Sequence, residues 1–365
     1  MPMLKQDKMT SDERWVALLN RKPVDRMAIH PMALGFSAIN SGREILSVYA
    51  DFTGKEPQEV TLWLNEQYGF NQLPLTGYGN YGTVEFGGEI KMPSGEWSQS
   101  VTVARLPVTT EEEAWSWKSP PDARTAGFMV PMIMELSKRE AERGAPFIQF
   151  ILNGPWDVAC SIAGIERLSK WTVQKPDVAH HILRLATDLN KDLVQYYIDT
   201  FGAERLFPFS THAHTSGQII GPKTFEQFCF PYIKEEHEWM MSKGIKHILN
   251  HCCGYHALNY PMWAQIPMGD PGVISVAHDT DEDWPTPLES VCKLFPNDII
   301  FGNVEPAMFQ IGTPEQVYEL CRQCIEIGKK HKPGFVLAPG CELPPKASPY
   351  NVWQMTKAVD DHGWY

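Results

Sequence analysis

The chain has 365 residues, 43% of them hydrophobic, and a formal charge of -12. That length suits one large α/β barrel or two ordinary domains, with apolar residues enough for a substantial core. The acidic balance and the lack of a Lys/Arg stripe exclude nucleic acid and anionic membrane surfaces as partners, and no apolar run is long enough to span a membrane.

Met1 to Arg14 is polar and lacks a signal-peptide core, so a cytoplasmic location is expected. In that setting the eight cysteines read as thiols or metal ligands, not as a disulfide frame.

The first predicted strand is Met27–Met32, and a weaker one lies near Asn71–Leu75. Gly77–Ser100 is rich in glycine and alternates (Val84, Phe86; Ile90, Met92), which predicts a small β-hairpin excursion. Helix is expected in Ala123–Arg143, then strand at Phe147–Leu152, then helix in Ile162–Phe201 with a break at Pro176. Strand Leu206–Ser210 precedes a helix opened by Gly221-Pro222-Lys223-Thr224-Phe225 and running to about Ser242. Strands His247–His251, Val273–Val276 and Ile299–Gly302 follow. Thr313-Pro314-Glu315 opens a helix with a Thr cap, Pro at the first helical position and acid in the first turn. Its stripe is Val317, Leu320, Cys321, Cys324 and Ile325, so Cys321 and Cys324 read as core. Phe335–Ala338 is the last strand. Eight strands alternating with helices predict a single-domain (β/α)₈ TIM barrel over 1–365, with an N-terminal extension.

In such a barrel, chemistry gathers at the C-terminal ends of the strands. Those ends carry His30; Asn153 and Trp156; His212 and His214; His251 and Cys253; His278 and Asp279; Asn303 and Glu305; and Cys341 and Glu342. His251 and Cys253 lie two apart, so on a strand they share a face. With Cys341 they offer one imidazole and two thiolates, the set a zinc ion takes when it keeps a position open for chemistry. Cys252 then faces away and packs. His212 and His214 suit substrate binding and a polar loop equally, and Glu342 adjoins the ligand Cys341. Asn303 suits ligand binding or holding its loop. Phe36, Trp63, Tyr78, Tyr81, Trp97 and Trp156 are candidate walls for a flat apolar substrate, and Tyr78–Gly82 reads as a flap or as an ordinary hairpin turn.

His251-Cys252-Cys253-Gly254, Phe301-Gly302-Asn303-Val304-Glu305-Pro306 and Pro339-Gly340-Cys341-Glu342-Leu343-Pro344-Pro345 resemble the zinc methyltransferases of the uroporphyrinogen decarboxylase superfamily. Lys22-Pro23-Val24-Asp25-Arg26 and Gly221–Phe225 fit the same superfamily, and the resemblance spans nearly the whole chain. It implies a barrel enzyme that exchanges methyl groups with a cobalt corrinoid (a cobalamin-type cofactor) carried on a partner protein. It also implies zinc on His251, Cys253 and Cys341. By rough alignment, His278 stands where thiol methyltransferases carry a carboxylate as fourth ligand.

The decarboxylase branch holds its poly-acid substrate with arginines just after the first strand. Here that loop reads His30-Pro31-Met32-Ala33-Leu34-Gly35-Phe36, with no cation before Arg43, which disfavours a uroporphyrinogen-type decarboxylase. The preferred reading is the substrate-side methyltransferase of an O-demethylase acting on an aromatic methyl ether. A methylcobamide:thiol methyltransferase of the coenzyme M type is the alternative. A zinc-stabilised binding barrel is disfavoured by the crowd of polar groups at the strand ends. The oligomeric state, homodimer included, is open.

Overall fold

A computed structural model describes residues 4, 6–76, 81–98, 101–125, 127, 129–277 and 287–365. The chain folds as a (β/α)₈ barrel. Seven parallel strands form its wall: β1 (Ala28–Ile29), β4 (Ile148–Asn153), β5 (Leu206–His212), β6 (Leu249–Cys252), β7 (Val273–Val276), β8 (Ile299–Val304) and β9 (Phe335–Pro339). They pair in the order β1-β9-β8-β7-β6-β5-β4. The remaining stave is the segment after Phe70. It forms no ladder, but the Asn71 N–H donates to Ile29 O at 2.7 Å and the Asn71 side-chain oxygen accepts from Ile29 N at 3.1 Å. This corrects the expectation of a regular strand at Asn71–Leu75: one side-chain amide replaces part of a ladder.

Strand alternation separates two cores. Leu73, Leu75, Phe207, Phe209, Leu249, Val273, Ile299, Phe301, Val336 and Ala338 pack together inside the barrel. Their neighbours Ile29, Leu206, Ile248, Ile274, Ile300 and Leu337 face outward into the helix layer. Each fully buried Phe, Leu or Ile contributes about 1.5–3 kcal/mol, so reversing the inside–outside register of one strand would forfeit several such terms.

The N-terminal extension plugs the barrel. Helix Ser11–Leu19 starts with a capping box between Thr10 and Glu13. It buries Trp15 against Phe207, Phe301 and His30, and the indole N–H donates to Asn71 O at 2.7 Å. Beside it, Arg14 and Arg26 are almost fully buried and bond the carboxylates of Asp7 and Asp25. These pairs tie the extension to the residues just before β1.

The hairpin excursion is present, but its strands are β2 (Glu89–Lys91) and β3 (Thr102–Arg105), paired antiparallel. Val84 and Phe86 lie in the turn before it, so their alternation marked no strand. The long helical region breaks at Pro176 as expected and also at Gly164, giving helices Pro155–Ala163, Ile165–Gln174 and Pro176–Phe201. Thr313 caps helix Pro314–Gly328 through a box with Gln316, and Cys321 and Cys324 are core.

Candidate metal centre

His251 lies on β6 one residue beyond Asn250, so alternation turns its ring into the barrel, where it meets the Phe209 ring at 5.7 Å. Cys252 is fully buried in the outer core, as its parity requires. The register pairs His251 with Ser275 of β7, and their side chains bond Nδ1 to Oγ at 2.9 Å. That bond anchors the ring and leaves Nε2, which is buried and has no hydrogen-bond partner among the described residues. Cys253 follows at the mouth. Gly254 then turns the chain with φ +83, a conformation that disfavours any side chain. Cys341 arrives from the end of β9, and the preceding Gly340 N–H is anchored on Val304 O at 2.8 Å.

The three ligand atoms lie within 4.8 Å of one another, and the two sulfurs are 3.5 Å apart. Two thiolates at about 2.3 Å from one tetrahedral zinc ion sit roughly 3.8 Å apart, so the pair is within a few tenths of an ångström of that spacing. The Cys253 thiol and the His251 ring hold Cys341 below the ordinary thiol range, while Cys341 and burial push Cys253 above it. Two facing sulfurs resist carrying two negative charges at once, a repulsion that a bound cation would relieve. An orphaned imidazole nitrogen on an anchored ring and two facing sulfurs together fit a metal ion. Among the described residues, no other group of three His, Cys, Asp or Glu side chains converges in this way.

Glu342 turns away from this centre. Its Oε1 accepts from the Tyr49 hydroxyl at 2.6 Å and from Gly35 N at 3.2 Å, and burial pushes its carboxyl up to about 7. It ties the loop carrying Cys341 to the residues after β1. Tyr49 carried no signal in the sequence as its partner.

The other expected site residues divide. His30 is fully buried inside the barrel between Trp15 and Phe301, with neither ring nitrogen hydrogen-bonded among the described residues. Burial pushes it down to about 3, so it is neutral. Phe36 and Trp156 are fully buried in the outer core and line no open wall. Tyr81 is also buried, its hydroxyl bonded to the Asn153 backbone and to Asn190. Trp63 packs on the core from a partly buried position, and Trp97 lies under the Lys346 ammonium. Tyr78 and His278 lie outside the described residues.

Like Phe36 and Trp156, two polar candidates face the helix layer. His212 is not at the mouth. β5 runs two residues further than expected, so His212 lies within it on the outward face, bonding Ser210 Oγ at 3.0 Å and meeting Trp263 edge-on. Asn303 turns toward the helix layer, donating to Ala277 O at 3.4 Å and accepting from the Cys324 thiol. Both bonds tie β8 to its surroundings, the role of holding its loop.

His214 does reach the surface, and it has a partner that sequence reasoning missed. Asp157, in the first turn of helix Pro155–Ala163, accepts at Oδ1 from Ala213 N, from His214 N and from His214 Nδ1, the last at 2.8 Å. The Asp157 side chain is 7% exposed and that of His214 41%. The carboxylate raises His214 above the ordinary histidine value. The only hint in the sequence was an acid four residues after Asn153.

Comparison with known proteins agrees with this architecture. The uroporphyrinogen decarboxylase family model matches residues 10–362. A methylated-thiol–coenzyme M methyltransferase of Methanosarcina mazei is 29% identical over 228 residues, covering 60% of this chain. The match spans 55% of that relative's own length. A solved structure of a methyltransferase from Methanosarcina mazei superposes on 97% of this chain and 99% of its own, with a TM-score of 0.78 and 19% identity, which shows the shared fold.

Proposed function

The chain belongs to the uroporphyrinogen decarboxylase family, and from that premise we propose that it is a zinc-dependent methyltransferase. In this reading it moves a methyl group from a methylated substrate to the cobalt(I) corrinoid of a partner protein in the cytoplasm. The observation that carries the reading is the convergence of His251, Cys253 and Cys341 at the ends of β6 and β9. The relative from Methanosarcina mazei, itself named a methyltransferase, supports it. No helix of the described residues is long and apolar enough to cross a membrane.

Zinc held by this set would supply Lewis acidity toward the heteroatom that exchanges the methyl group. The protein's own part is to hold and aim. Ser275 fixes the His251 ring, Glu342 and Tyr49 fix the loop of Cys341, and the Phe209 ring excludes water from one side of His251. Trp15, Phe207 and Phe301 fill the barrel below, which leaves the mouth as the face a corrinoid partner would use.

Two features favour a neutral donor, best an aromatic methyl ether. Among the described residues, Lys346 is the only lysine or arginine in the loops that directly follow the strands, and it lies over the Trp97 ring at 4.7 Å. A poly-acid would meet no ready counter-charge there, which also speaks against decarboxylation of a porphyrinogen. Second, two thiolates and one imidazole neutralise a zinc ion, and Glu342, the adjacent acid, is engaged elsewhere. A set without a carboxylate keeps the ion acidic toward oxygen, and His278 is the proposed fourth ligand. A methylated thiol as donor, with a thiol acceptor of the coenzyme M type, is the second reading, favoured by the name of that relative.

The test mixes zinc-loaded protein, a methoxyphenol and a cobalt(I) corrinoid protein. Free phenol and the methyl-cobalt(III) spectrum are expected together. Methyl exchange with thiols alone would favour the second reading, and no methyl exchange with either would end both.

A further inference from the structure

Ser275 orients His251, and Tyr49 with Glu342 holds the loop of Cys341. Cys253, the remaining member of the set, is followed by two fully buried rings, His256 and Trp263. Trp263 closes the short helix Tyr260–Trp263. Its indole N–H donates to His256 Nδ1 at 3.2 Å, and the other ring nitrogen, Nε2, lies 3.1 Å from the Cys253 carbonyl oxygen. An indole N–H only donates and a carbonyl oxygen only accepts. An imidazolium would set its Nδ1–H against the indole N–H, so the ring is neutral and its one proton is on Nε2. Nδ1 accepts from Trp263, and Nε2–H donates to Cys253 O. The two contacts assign the same tautomer from opposite ends of the ring.

Both ring nitrogens are thus committed, so His256 stands outside the metal set although it is three residues from Cys253. What it holds is the peptide group between Cys253 and Gly254. That peptide enters a sharp turn: Gly254 has φ +83, and a Cβ there would lie 3.3 Å from the Ser216 side chain. Beyond the turn the loop is stapled to the loop after β5. Gly217 N donates to Tyr255 O at 2.7 Å, and Asn259 Nδ2 donates to Thr215 O at 3.3 Å. Trp263 itself packs on the Phe225 ring at 5.1 Å and meets the His212 ring edge-on at 4.7 Å. The anchor therefore runs from the helix layer, through one imidazole, to the backbone of Cys253. The Cys253 sulfur is one rotatable bond away from that backbone, and it faces the Cys341 sulfur at 3.5 Å.

We propose that His256 is the positioning residue of Cys253 in the metal centre, and that Trp263 acts through it by keeping the imidazole proton on Nε2. This rests on the reading of His251, Cys253 and Cys341 as a zinc site. Without the indole donor, the proton is free to sit on Nδ1. Nε2 and the Cys253 carbonyl then meet lone pair to lone pair, and a bond becomes a repulsion. The peptide turns away from the ring and carries the sulfur off its line to Cys341. Loss of a partner that orients a metal ligand typically weakens metal binding about 10- to 100-fold.

The test compares the full-length protein with His256→Leu, His256→Gln and Trp263→Phe, each checked for folding by circular dichroism. Zinc affinity is read by competition with a chromophoric chelator. His256→Leu should weaken zinc about 10- to 100-fold, while His256→Gln, whose amide N–H takes the place of Nε2–H, should bind close to wild type. With cobalt(II) in place of zinc, the thiolate-to-cobalt bands should change in His256→Leu and return in His256→Gln. Trp263→Phe should weaken zinc in the same direction. NMR of the imidazole nitrogens should show the His256 proton on Nε2 in wild type and a mixture of tautomers in Trp263→Phe. These last two measurements decide the matter even if His256→Leu fails to fold. Folded variants that bind zinc as wild type does, equal weakening by Leu and Gln, or a wild-type ring protonated on Nδ1 each overturn the proposal while the zinc reading stands. A wild-type protein that binds no zinc overturns both.

Discussion

Replacing Ser275 by Ala removes the one side-chain bond that orients His251. The Nδ1 to Oγ distance is 2.9 Å, and both residues are buried. The neighbouring hydroxyl across the ladder, Thr211, already donates its proton to Asn153, so that donor is committed elsewhere. Two effects follow from the geometry. The first is local: a freed ring can rotate or change tautomer, so Nε2 no longer faces the sulfurs. Loss of such an outer partner typically weakens metal binding about 10- to 100-fold, or roughly 1.4–2.7 kcal/mol. The second is global: a buried ring nitrogen left without a partner costs about 1–3 kcal/mol of stability in the metal-free protein. Zinc affinity, measured by competition with a chromophoric chelator, should fall within that range, while circular dichroism of the folded protein is unchanged. An unaltered zinc affinity in Ser275→Ala would show that His251 is not aimed at a metal by β7, and would refute the reasoning.

Cys341→Ala should lose most of the bound zinc, as measured by elemental analysis, yet stay folded, because Cys341 lies in a loop beyond β9 and outside both core clusters. Glu236 is fully buried, accepts from Asn190 at 2.7 Å, and is pushed up to about 8. A carboxyl that keeps its proton in the fold but loses it on unfolding makes stability fall by about 1.4 kcal/mol per pH unit between the two values. Denaturant melts of Glu236→Gln should therefore show a gain over wild type that grows from about pH 4.5 to about pH 8 and then levels off. Asp7→Asn leaves the buried Arg26 guanidinium without its charged partner and should cost about 3–5 kcal/mol in the same assay.

Much of this was legible because the relevant signals are local. His251 and Cys253 share a face by strand parity alone, and Thr313-Pro314 announces its helix by capping chemistry. Errors arose where a boundary or a distant partner decides. Two more residues on β5 swing His212 from the mouth into the helix layer, since a strand reverses facing at every residue. Asn303 looked like a site residue by position, but its amide is used by Ala277 and Cys324. The segment Asn71–Leu75 has the apolar alternation of a strand, yet one residue, Asn71, joins it to β1 through its backbone N–H and its side-chain oxygen. Ser275, Tyr49 and Asp157 were invisible as site residues because each acts through a partner far away in the chain. Only the fold supplies Ser275 to His251 across a ladder, Tyr49 to Glu342 and Asp157 to His214.

The central claim is that His251, Cys253 and Cys341 form an open metal site. X-ray absorption at the zinc edge of the purified, zinc-loaded protein tests it most directly. The account predicts two sulfur scatterers at about 2.3 Å and light nitrogen or oxygen scatterers at about 2.0–2.1 Å, with one light scatterer replaced when a methylated donor is added. A zinc shell of four sulfurs, a shell without sulfur, or a protein that binds no zinc would contradict it.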